Sequence, residues 1–322
     1  MLSAVRTRPL LLSLHLMQPP HRRPGRRAAG LLSLLLAAAL MAAMPAARAA
    51  AGGGFDLSAR TVVLRDGRHL PLCGLGTWLL SEEETYQAVS AHLRAGGRLI
   101  DTAAYYRNEA AVGRAVRDSG VPRTEIFVQT KLFPSSYARA DEAITAALRR
   151  LGLDYIDLML LHHPADHELQ AYRAMERAVD AGTIRSLGLS NYYLAELAAL
   201  LPQLRIPPVL VQNEIHPFYQ EREVVDYVHS QGMVMQGWYP FGGKGNPAVL
   251  GHEVVADLAA AHGVSPAQVV LRWNLQRGVA VIPGSSSPAE IRENLDLFGF
   301  ELSEQDMARL AALDRGEKFG WY

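Results

Sequence analysis

The chain is poor in cysteine, and its first part has no acidic residue at all. Its single cysteine, Cys73, excludes an intramolecular disulfide and belongs to no redox motif. Residues 1–55 carry seven arginines and no Asp or Glu. The overall net charge of zero therefore hides a net charge of −7 in the rest of the chain, where 25 basic residues face 32 acidic ones. This acidic excess gives no indication of a nucleic-acid partner, and we predict none.

No apolar run reaches the roughly 20 residues that a membrane-spanning helix needs. A shorter run over residues 31–44 follows arginine pairs at 22–23 and 26–27 and precedes the small-residue stretch 45–49. This is the order of the basic region, hydrophobic region and cleavage site of a signal peptide. We therefore predict that residues 1–49 are a signal peptide, cleaved after Ala49, and that the protein is exported to the periplasm.

The paired arginines also suggest the twin-arginine route, which exports folded proteins, although the rest of that pattern is poor. After cleavage the protein would keep no stable membrane anchor. The alternatives are a retained anchor and a misassigned start, and with a misassigned start the protein would be cytoplasmic.

Strand-like and helix-like segments alternate with short connections after a predicted linker over residues 50–59. A hairpin over residues 61–65 and 70–72, with its turn at Asp66-Gly67, comes first. Eight candidate strands follow at residues 74–78, 98–102, 126–131, 156–161, 186–190, 209–213, 234–238 and 279–283. Amphipathic helices lie between these strands.

Eight strand–helix units in about 260 residues predict an α/β fold, a (β/α)8 TIM barrel. The barrel would be a single domain over residues 60–322, with the N-terminal β-hairpin closing its bottom. The competing fold is a doubly wound sheet. It is disfavoured because Gly74-Leu-Gly76 lacks the third glycine and the helix start of the dinucleotide-binding fingerprint.

Four chemically active side chains follow successive predicted strands, and in a barrel such positions converge on one mouth. Asp101 and Tyr106 follow the second strand, Lys131 ends the third and His162 ends the fourth. A tyrosine is a weak acid near neutral pH. An adjacent ammonium group favours the phenolate, and a carboxylate keeps that ammonium group charged and in place. His162 would orient and polarise a carbonyl group. Although each residue alone has a structural explanation, their coincidence predicts a site for carbonyl reduction.

Two other kinds of site are disfavoured. His163 and His167 have helical spacing, but Pro164 interrupts a helix there, and no carboxylate or thiol pattern completes a metal site. We therefore predict no metal. A barrel isomerase or hydrolase would need a carboxylate base or a metal ion at the mouth, and the sequence offers neither.

These segments resemble the aldo-keto reductase family, and most closely its bacterial 2,5-diketogluconate-reductase-like branch, over about residues 60–316. Residues 101–109 match the family pattern Asp-Thr-Ala, two residues, Tyr, one residue, Asn-Glu. Thr-Lys-Leu, Leu-x-His, Gly-x-Ser-Asn, Gln-x-Glu-x-His-Pro and Ile-Pro-x-Ser blocks also have close counterparts, in the family's order. The resemblance implies a barrel that reduces aldehydes and ketones to alcohols by hydride transfer. Tyr106 would be the proton donor, Asp101 and Lys131 would tune it, and His162 would orient the substrate.

The resemblance implies a nicotinamide dinucleotide cofactor. Ser190, Asn191 and Gln212 match residues that bind its carboxamide, and Trp238 matches an aromatic ring stacked on the nicotinamide. The other predicted cofactor-binding residues are Thr77, Tyr239, Pro240, Phe241, Ser285, Ser286, Glu290, Glu293 and Asn294.

Cofactor choice depends on two departures from the family pattern. Many relatives hold the 2′-phosphate of NADPH with a Lys and an Arg, where this chain has Gly284 and Glu290. A carboxylate disfavours a phosphate dianion but can accept a hydrogen bond from a ribose hydroxyl group. Arg292, with Ser285 and Asn294, could partly restore phosphate binding. NADPH is therefore the predicted cofactor, and NADH stays open.

Trp78, Tyr105, Phe133 and His163 match substrate-pocket positions. An aromatic mouth with few charges favours small aldehydes and ketones over anionic sugars. The chain ends soon after its last predicted helix, which leaves little tail to cover the pocket and predicts broad specificity.

We predict a monomer that binds a small-molecule carbonyl substrate. The alternative function is that of a non-catalytic, dinucleotide-binding regulatory or structural barrel.

Overall fold

A computed structural model describes residues 54–243 and 246–320, and its main feature is a nearly closed barrel of eight parallel strands. In chain order these strands are β4 (Gly74–Gly76), β5 (Leu99–Asp101), β6 (Phe127–Leu132), β7 (Ile156–Leu161), β8 (Ile184–Ser190), β9 (Leu210–Glu214), β10 (Val234–Trp238) and β11 (Val279–Val281). Each strand pairs with its neighbour in sequence. The first barrel strand, β4, lies next to the last, β11, and the isolated bridges Cys73–Val281 and Gly76–Gly284 connect the two sides of the barrel there. The predicted (β/α)8 barrel is confirmed.

Helices connect the strands and cover the outside of the barrel. They are α1 (Glu82–Arg94), α2 (Glu109–Asp118), α3 (Ala140–Leu151), α4 (Glu168–Asp180), α5 (Leu194–Leu200), α6 (Arg222–Ser230), α7 (Glu253–His262), α8 (Pro266–Gln276), α9 (Pro288–Leu295) and α10 (Glu304–Ala311). Local sequence explains their ends. Ser81 forms a capping box with Glu84 at the start of α1, and Gly152 ends α3 with a φ of 60°.

The hydrophobic core has two layers. The larger layer lies between the strands and the helices, and includes Ile144, Met175 and Trp273. The smaller one fills the end of the barrel at which the strands begin, where Leu70 and Leu72 pack with residues of several strands. Both sides of each barrel strand are therefore buried, which explains the nearly continuous apolar runs in the sequence.

A small antiparallel sheet covers the bottom of the barrel. It consists of β1 (Phe55–Asp56), β2 (Thr61–Val63) and β3 (His69–Pro71). The turn between β2 and β3 is tied to the barrel, because Ser186 Oγ donates to Asp66 Oδ2 at 2.6 Å. The predicted hairpin therefore does close the bottom. Residues 55–56, which fall in the predicted linker, form strand β1 and pair with β2.

Two predicted strands extend two residues past the observed C-terminal end. The first ends at Gly76 rather than residue 78, because the chain leaves the barrel there and Leu79 adopts a φ of 65°. The last ends at Val281 rather than residue 283, although Pro283 still accepts a hydrogen bond from Gly76 N at 3.0 Å. The other predicted strands differ from the observed ones by at most two residues at either end.

The predicted signal peptide, residues 1–49, and the start of the predicted linker lie outside the described residues. Within the described ranges no single helix is long and apolar enough to cross a membrane, and only α7 and α8, bent by 91°, meet that test as a pair.

Candidate active site

A cavity of about 610 Å³ opens at the end of the barrel where the parallel strands terminate. At one end of it lie Asp101, Tyr106 and His162, and at the other Ser285 and Glu290. Predicted residues that share its wall are Trp78, Asp101, Tyr106, His162, Ser190, Asn191, Gln212, Trp238, Tyr239, Pro240, Phe241, Ser285, Ser286 and Glu290. The cavity is thus continuous from the predicted catalytic residues to the predicted adenosine site.

A buried ion pair lies beneath Tyr106. Lys131 Nζ is 2.7 Å from both carboxylate oxygens of Asp101, and it donates to Thr102 O at 3.1 Å and to Tyr106 Oη at 3.2 Å. Burial lowers the pKa of Lys131, while Asp101 and then Glu109 oppose that shift. Because the side chains of Lys131 and Asp101 are at most 3% exposed, water does not screen their attraction.

His162 stands beside Tyr106, with 5.7 Å between the ring centroids and the rings nearly perpendicular. Burial, followed by the charge of Lys131, lowers the pKa of His162 well below its usual value, so the imidazole is neutral. Its Nδ1 is buried without a hydrogen-bond partner in the described structure. A neutral imidazole at this place can offer an N–H group to an oxygen atom in the cavity.

Asn191 connects residues of neighbouring strands on the side of the cavity where the nicotinamide is predicted to bind. It adopts a φ of 63°, a left-handed conformation that asparagine tolerates better than most residues. Its Nδ2 donates to His162 O at 2.9 Å and to Ser190 Oγ at 3.2 Å, and its Oδ1 accepts from Trp238 Nε1 at 3.1 Å. One amide thereby fixes the position of the indole ring relative to the neighbouring strands.

Three stacked rings border the mouth. Tyr105 lies between Trp78 and Phe133, with centroid distances of 5.6 and 4.3 Å. Phe133 and His163 line a smaller, adjacent cavity of about 360 Å³, which shares Asn191 with the larger one. The predicted substrate residues therefore lie together, although Tyr105 lines neither cavity wall.

The segment after α10 does reach the pocket, contrary to the expectation of little covering tail. Lys318 lines the smaller cavity and donates to Tyr193 Oη at 3.0 Å. The fully buried Glu214 accepts hydrogen bonds from Phe319 N at 2.6 Å and from Gly320 N at 2.9 Å. The ring of Phe319 also stacks on His216. Because buried contacts hold it, this segment is part of the pocket wall.

The end of the cavity near Ser285 and Glu290 is more exposed than the end near the buried Asp101–Lys131 pair. Ser285 Oγ donates to Glu290 Oε2 at 2.6 Å, and Glu290, in the first turn of α9, is exposed. Gly284 packs against strand β4, since an added Cβ would lie 3.2 Å from Gly76 O. Arg292 is exposed and does not line the cavity.

Three predicted cofactor residues are not part of the cavity wall. Thr77 is fully buried and donates to Asp101 O at 2.9 Å. Asn294 is buried, and its backbone oxygen lies 3.2 Å from Cys73 Sγ. Glu293 is exposed on α9.

Sequence reasoning missed several residues of the site. Leu79, Asn246, Pro247 and Leu250 line the larger cavity, but they come from loops without any regular pattern. Gln129 and Gln236 lie fully buried inside the barrel. Their signal was visible, because each is a polar residue within a run predicted to be a buried strand.

The residues present fit a nicotinamide dinucleotide. The long cavity combines Ser190 and Gln212, which carry polar groups suited to a carboxamide, with the aromatic ring of Trp238 and with the hydroxyl groups of the serines that precede α9. Gly76 and Gly284 also line the cavity and approach each other closely. Because neither residue has a side chain, only their backbone atoms border the cavity at this point.

Comparisons with known proteins agree with this geometry. The model of the Aldo/keto reductase family matches residues 73–315. Methylglyoxal reductase DkgA from Escherichia coli is 39% identical over 264 residues, which are 80% of this chain and 95% of that protein. Morphine 6-dehydrogenase from Pseudomonas putida is 39% identical over 272 residues, 80% of this chain and 92% of that protein. The crystal structure of MGS-M4, an aldo-keto reductase from a deep-sea metagenome library of the Medee basin, matches with a TM-score of 0.78 and 37% identity, over 80% of this chain and 96% of that one.

The chain therefore belongs to the aldo/keto reductase family. It is an NAD(P)H-dependent oxidoreductase that acts on carbonyl groups. The predicted enzyme class is confirmed, and no observation favours the non-catalytic barrel.

Proposed function

We propose that the protein reduces small aldehydes and ketones to alcohols, with Tyr106 as the proton donor. The observation that carries the proposal is the position of Lys131 Nζ, 2.7 Å from both oxygens of Asp101 and 3.2 Å from Tyr106 Oη. A buried ammonium group stabilises the developing phenolate more than it would in solution.

A reduced nicotinamide dinucleotide, when bound, would supply the hydride that the carbonyl carbon accepts. Tyr106 gives its hydroxyl proton to the carbonyl oxygen, Lys131 stabilises the phenolate that remains, and solvent returns the proton. The neutral His162 donates a hydrogen bond to the same oxygen and so orients the carbonyl. Ser190, Asn191 and Gln212 would hold the carboxamide, and Trp238 would provide a flat surface for the nicotinamide ring.

We propose NADPH as the preferred cofactor, with appreciable use of NADH. Glu290 lines the cavity where a 2′-phosphate would lie in relatives, and its carboxylate already accepts a hydrogen bond from Ser285. Repulsion between this carboxylate and a phosphate dianion weakens NADPH binding, while a ribose hydroxyl group can donate to the carboxylate. The preference is therefore expected to be small.

The substrate pocket supports small carbonyl compounds. Its rings are those of Trp78, Tyr105 and Phe133, and aromatic walls suit compounds with little charge. The name of one relative, a methylglyoxal reductase, suggests a small dicarbonyl compound as one of the probes.

The deciding experiment measures reduction of benzaldehyde and of methylglyoxal with NADPH and with NADH. We expect turnover with both cofactors, and a loss of about 10²–10⁴-fold in kcat for Tyr106→Phe. Tyr105→Phe is the matched control, because it removes the hydroxyl group from the adjacent tyrosine. Fluorescence titration with NADPH separates binding from chemistry. Full turnover by Tyr106→Phe would refute the assignment, and binding without turnover in the wild type would favour the non-catalytic barrel.

We also propose that the protein is exported and acts as a monomer. The arginine pairs, the apolar run and the small-residue stretch before residue 50 support export. N-terminal sequencing of the protein from its native host should begin at Ala50, and an intact Met1 would contradict cleavage. Light scattering of the purified protein tests the monomer.

A further inference from the structure

Three glutamines lie together inside the barrel beneath the Asp101–Lys131 pair. Gln129 comes from β6, Gln212 from β9 and Gln236 from β10, and each is at most 1% exposed. Strand pairing aligns them, because Gln129 is the partner of Asp101 in the ladder and Gln236 is the partner of Gln212. Polar groups buried to this extent are costly unless their hydrogen bonds are made, so their arrangement is constrained.

The carboxylate determines which way two of these amides face. Asp101 Oδ1 lies 2.7 Å from Gln129 Nε2 and 3.0 Å from Gln212 Nε2, and an ionised carboxylate can only accept hydrogen bonds. Each of these nitrogens uses its second hydrogen on Gln236 Oε1, at 2.7 Å in both cases. Gln236 Nε2 in turn lies 3.4 Å from Gln129 Oε1.

This arrangement leaves Gln212 with one group for the cavity. Both of its N–H groups are used inside the barrel, by Asp101 and Gln236. Its Oε1 receives no hydrogen bond from the described residues, and Gln212 lines the cavity. Gln212 therefore presents an acceptor, and the complementary partner is a group with N–H donors, such as a primary amide.

We propose that Gln129 and Gln236 are positioning residues of the reductase. Gln236 holds Gln212 with its acceptor oxygen towards the cofactor, and Gln129 holds the Asp101 carboxylate that anchors Lys131. This inference rests on the proposed function, since it assumes that Tyr106 and Gln212 have the roles given above. One network of buried amide groups would thereby position both the residue that binds the cofactor and the ion pair that tunes the proton donor.

Loss of the Gln129 amide has an electrostatic consequence with a definite sign. The positive end of its N–H dipole faces Asp101 Oδ1, close to Lys131. Among the described residues, the other titratable groups near Tyr106 and Lys131 include His162 and His163, which are neutral because burial lowers their pKa, and Glu109, which acts on Lys131. Without the dipole the potential at the phenol becomes more negative, so ionisation of the phenol requires a higher pH.

The first arm of the test measures cofactor affinity by fluorescence titration with NADPH, a readout that does not require turnover. Gln236→Met removes the acceptor that holds the second N–H of Gln212, so this amide can turn a donor towards the cavity. We expect the Kd to rise by about tenfold, the effect of losing one buried hydrogen bond. Gln129→Met leaves Gln212 with both acceptors, and its Kd should change by less than about threefold.

The second arm measures kcat/KM against pH. Reduction needs the protonated phenol, so activity falls at alkaline pH as the donor ionises. Gln129→Met should move this alkaline limb upward by about half a pH unit or more, with a lower plateau. Gln236→Met should move the limb by less than half as much. A general loss of structure would change the Kd for NADPH and the pH profile together in each variant. It would not affect mainly the Kd in Gln236→Met and mainly the pH profile in Gln129→Met.

Gln220→Met is the matched control, because Gln220 is equally buried but donates to Pro217 O and Leu310 O, away from both cavities. It should change neither readout. Hydrogen exchange of the side-chain amides in the wild type, measured by NMR, needs no variant and should find both protons of Gln212 protected. Rapid exchange at Gln212, or variants that match Gln220→Met in both readouts, would overturn the proposal. Turnover that survives Tyr106→Phe would instead overturn the proposed function.

Discussion

The two ends of the larger cavity hold their residues in opposite ways. At the catalytic end, Lys131 and Asp101 are buried, and Asp101 Oδ1 alone receives three hydrogen bonds, from Lys131, Gln129 and Gln212. At the predicted adenosine end, Glu290 is exposed, and among the described residues one side-chain hydrogen bond, from Ser285, reaches its carboxylate. The difference indicates that the chemistry depends on a rigid arrangement, while the choice of cofactor depends on a few replaceable contacts at the surface.

The largest effect is expected from breaking the buried pair at the catalytic end. Lys131→Met leaves the Asp101 carboxylate without its counter-ion, so the free energy of unfolding should fall by about 3–5 kcal/mol. Turnover should fall by about 10³-fold, because the phenolate loses its ammonium partner. Urea denaturation and steady-state kinetics measure the two losses.

The double variant Asp101→Asn/Lys131→Met separates these losses. It carries no unpaired charge, so it should recover most of the stability while its turnover stays low. Recovery of turnover together with stability would mean that the pair has only a structural role.

The next largest effect is expected at the adenosine end. Glu290→Arg replaces a repulsive carboxylate with a cation that can bind phosphate, and it should raise the ratio of kcat/KM for NADPH over NADH by about tenfold or more. Glu293→Arg, one turn along α9 and outside the cavity wall, is the control for a general change of charge. Equal shifts in both variants would remove Glu290 as the determinant.

A smaller effect is expected where Asn191 joins the Trp238 indole to the backbone of His162. Asn191→Gly removes the amide but suits the φ of 63°, whereas Asn191→Ala also strains the backbone, by about 1 kcal/mol. Both should weaken NADPH binding by about five- to tenfold, and only the alanine variant should also lower the melting temperature markedly. Equal melting temperatures would contradict the strain.

The smallest effect on turnover is expected from lowering the pH of the assay. Burial lowers the pKa of His162 well below its usual value and that of His163 to about 4, so kcat/KM should stay level from pH 8 to about pH 5.5. A loss centred near pH 6.5 would contradict a neutral His162.

Stability should behave differently from turnover over the same pH range. The unfolded chain binds protons at the ordinary histidine pKa of about 6.5, above the values in the folded protein, so stability falls as the pH decreases from about 7 towards 4. His92, outside the cavity, has a pKa lowered by burial to about 4. His92→Leu should therefore reduce this slope, by about 2 kcal/mol between pH 7 and 5, without altering the pH profile of turnover.

The barrel and the catalytic end could be predicted because their signals are local. Asp101, Lys131 and His162 each interrupt an apolar run at a strand end, and parallel strands of a barrel bring such ends together. The cofactor residues were harder to place. Thr77 and Asn294 point away from the cavity, and this depends on the register and on how α9 packs, which no short pattern records.

The contacts among the buried glutamines could not be predicted from the sequence. Gln129 and Gln236 are separated by 107 positions, and only barrel closure places Gln129 Nε2 within 2.7 Å of Gln236 Oε1. A polar residue in a buried strand indicates that a partner exists, but not which residue it is. The contact of Glu214 with Gly320 is missed for the same reason, since it joins positions 106 apart.

The small sheet that begins at Phe55 covers the bottom of the barrel, whereas the segment that ends at Gly320 forms part of the mouth. The two termini of the described domain are therefore not equivalent as attachment points. A fusion partner or a solid support joined ahead of residue 54 would leave the entrance to the cavity clear. An affinity tag on the C-terminal side would be joined to the segment in which Lys318 lines the smaller cavity and Gly320 N donates to Glu214. Immobilisation of this enzyme should accordingly be designed through its N-terminal side.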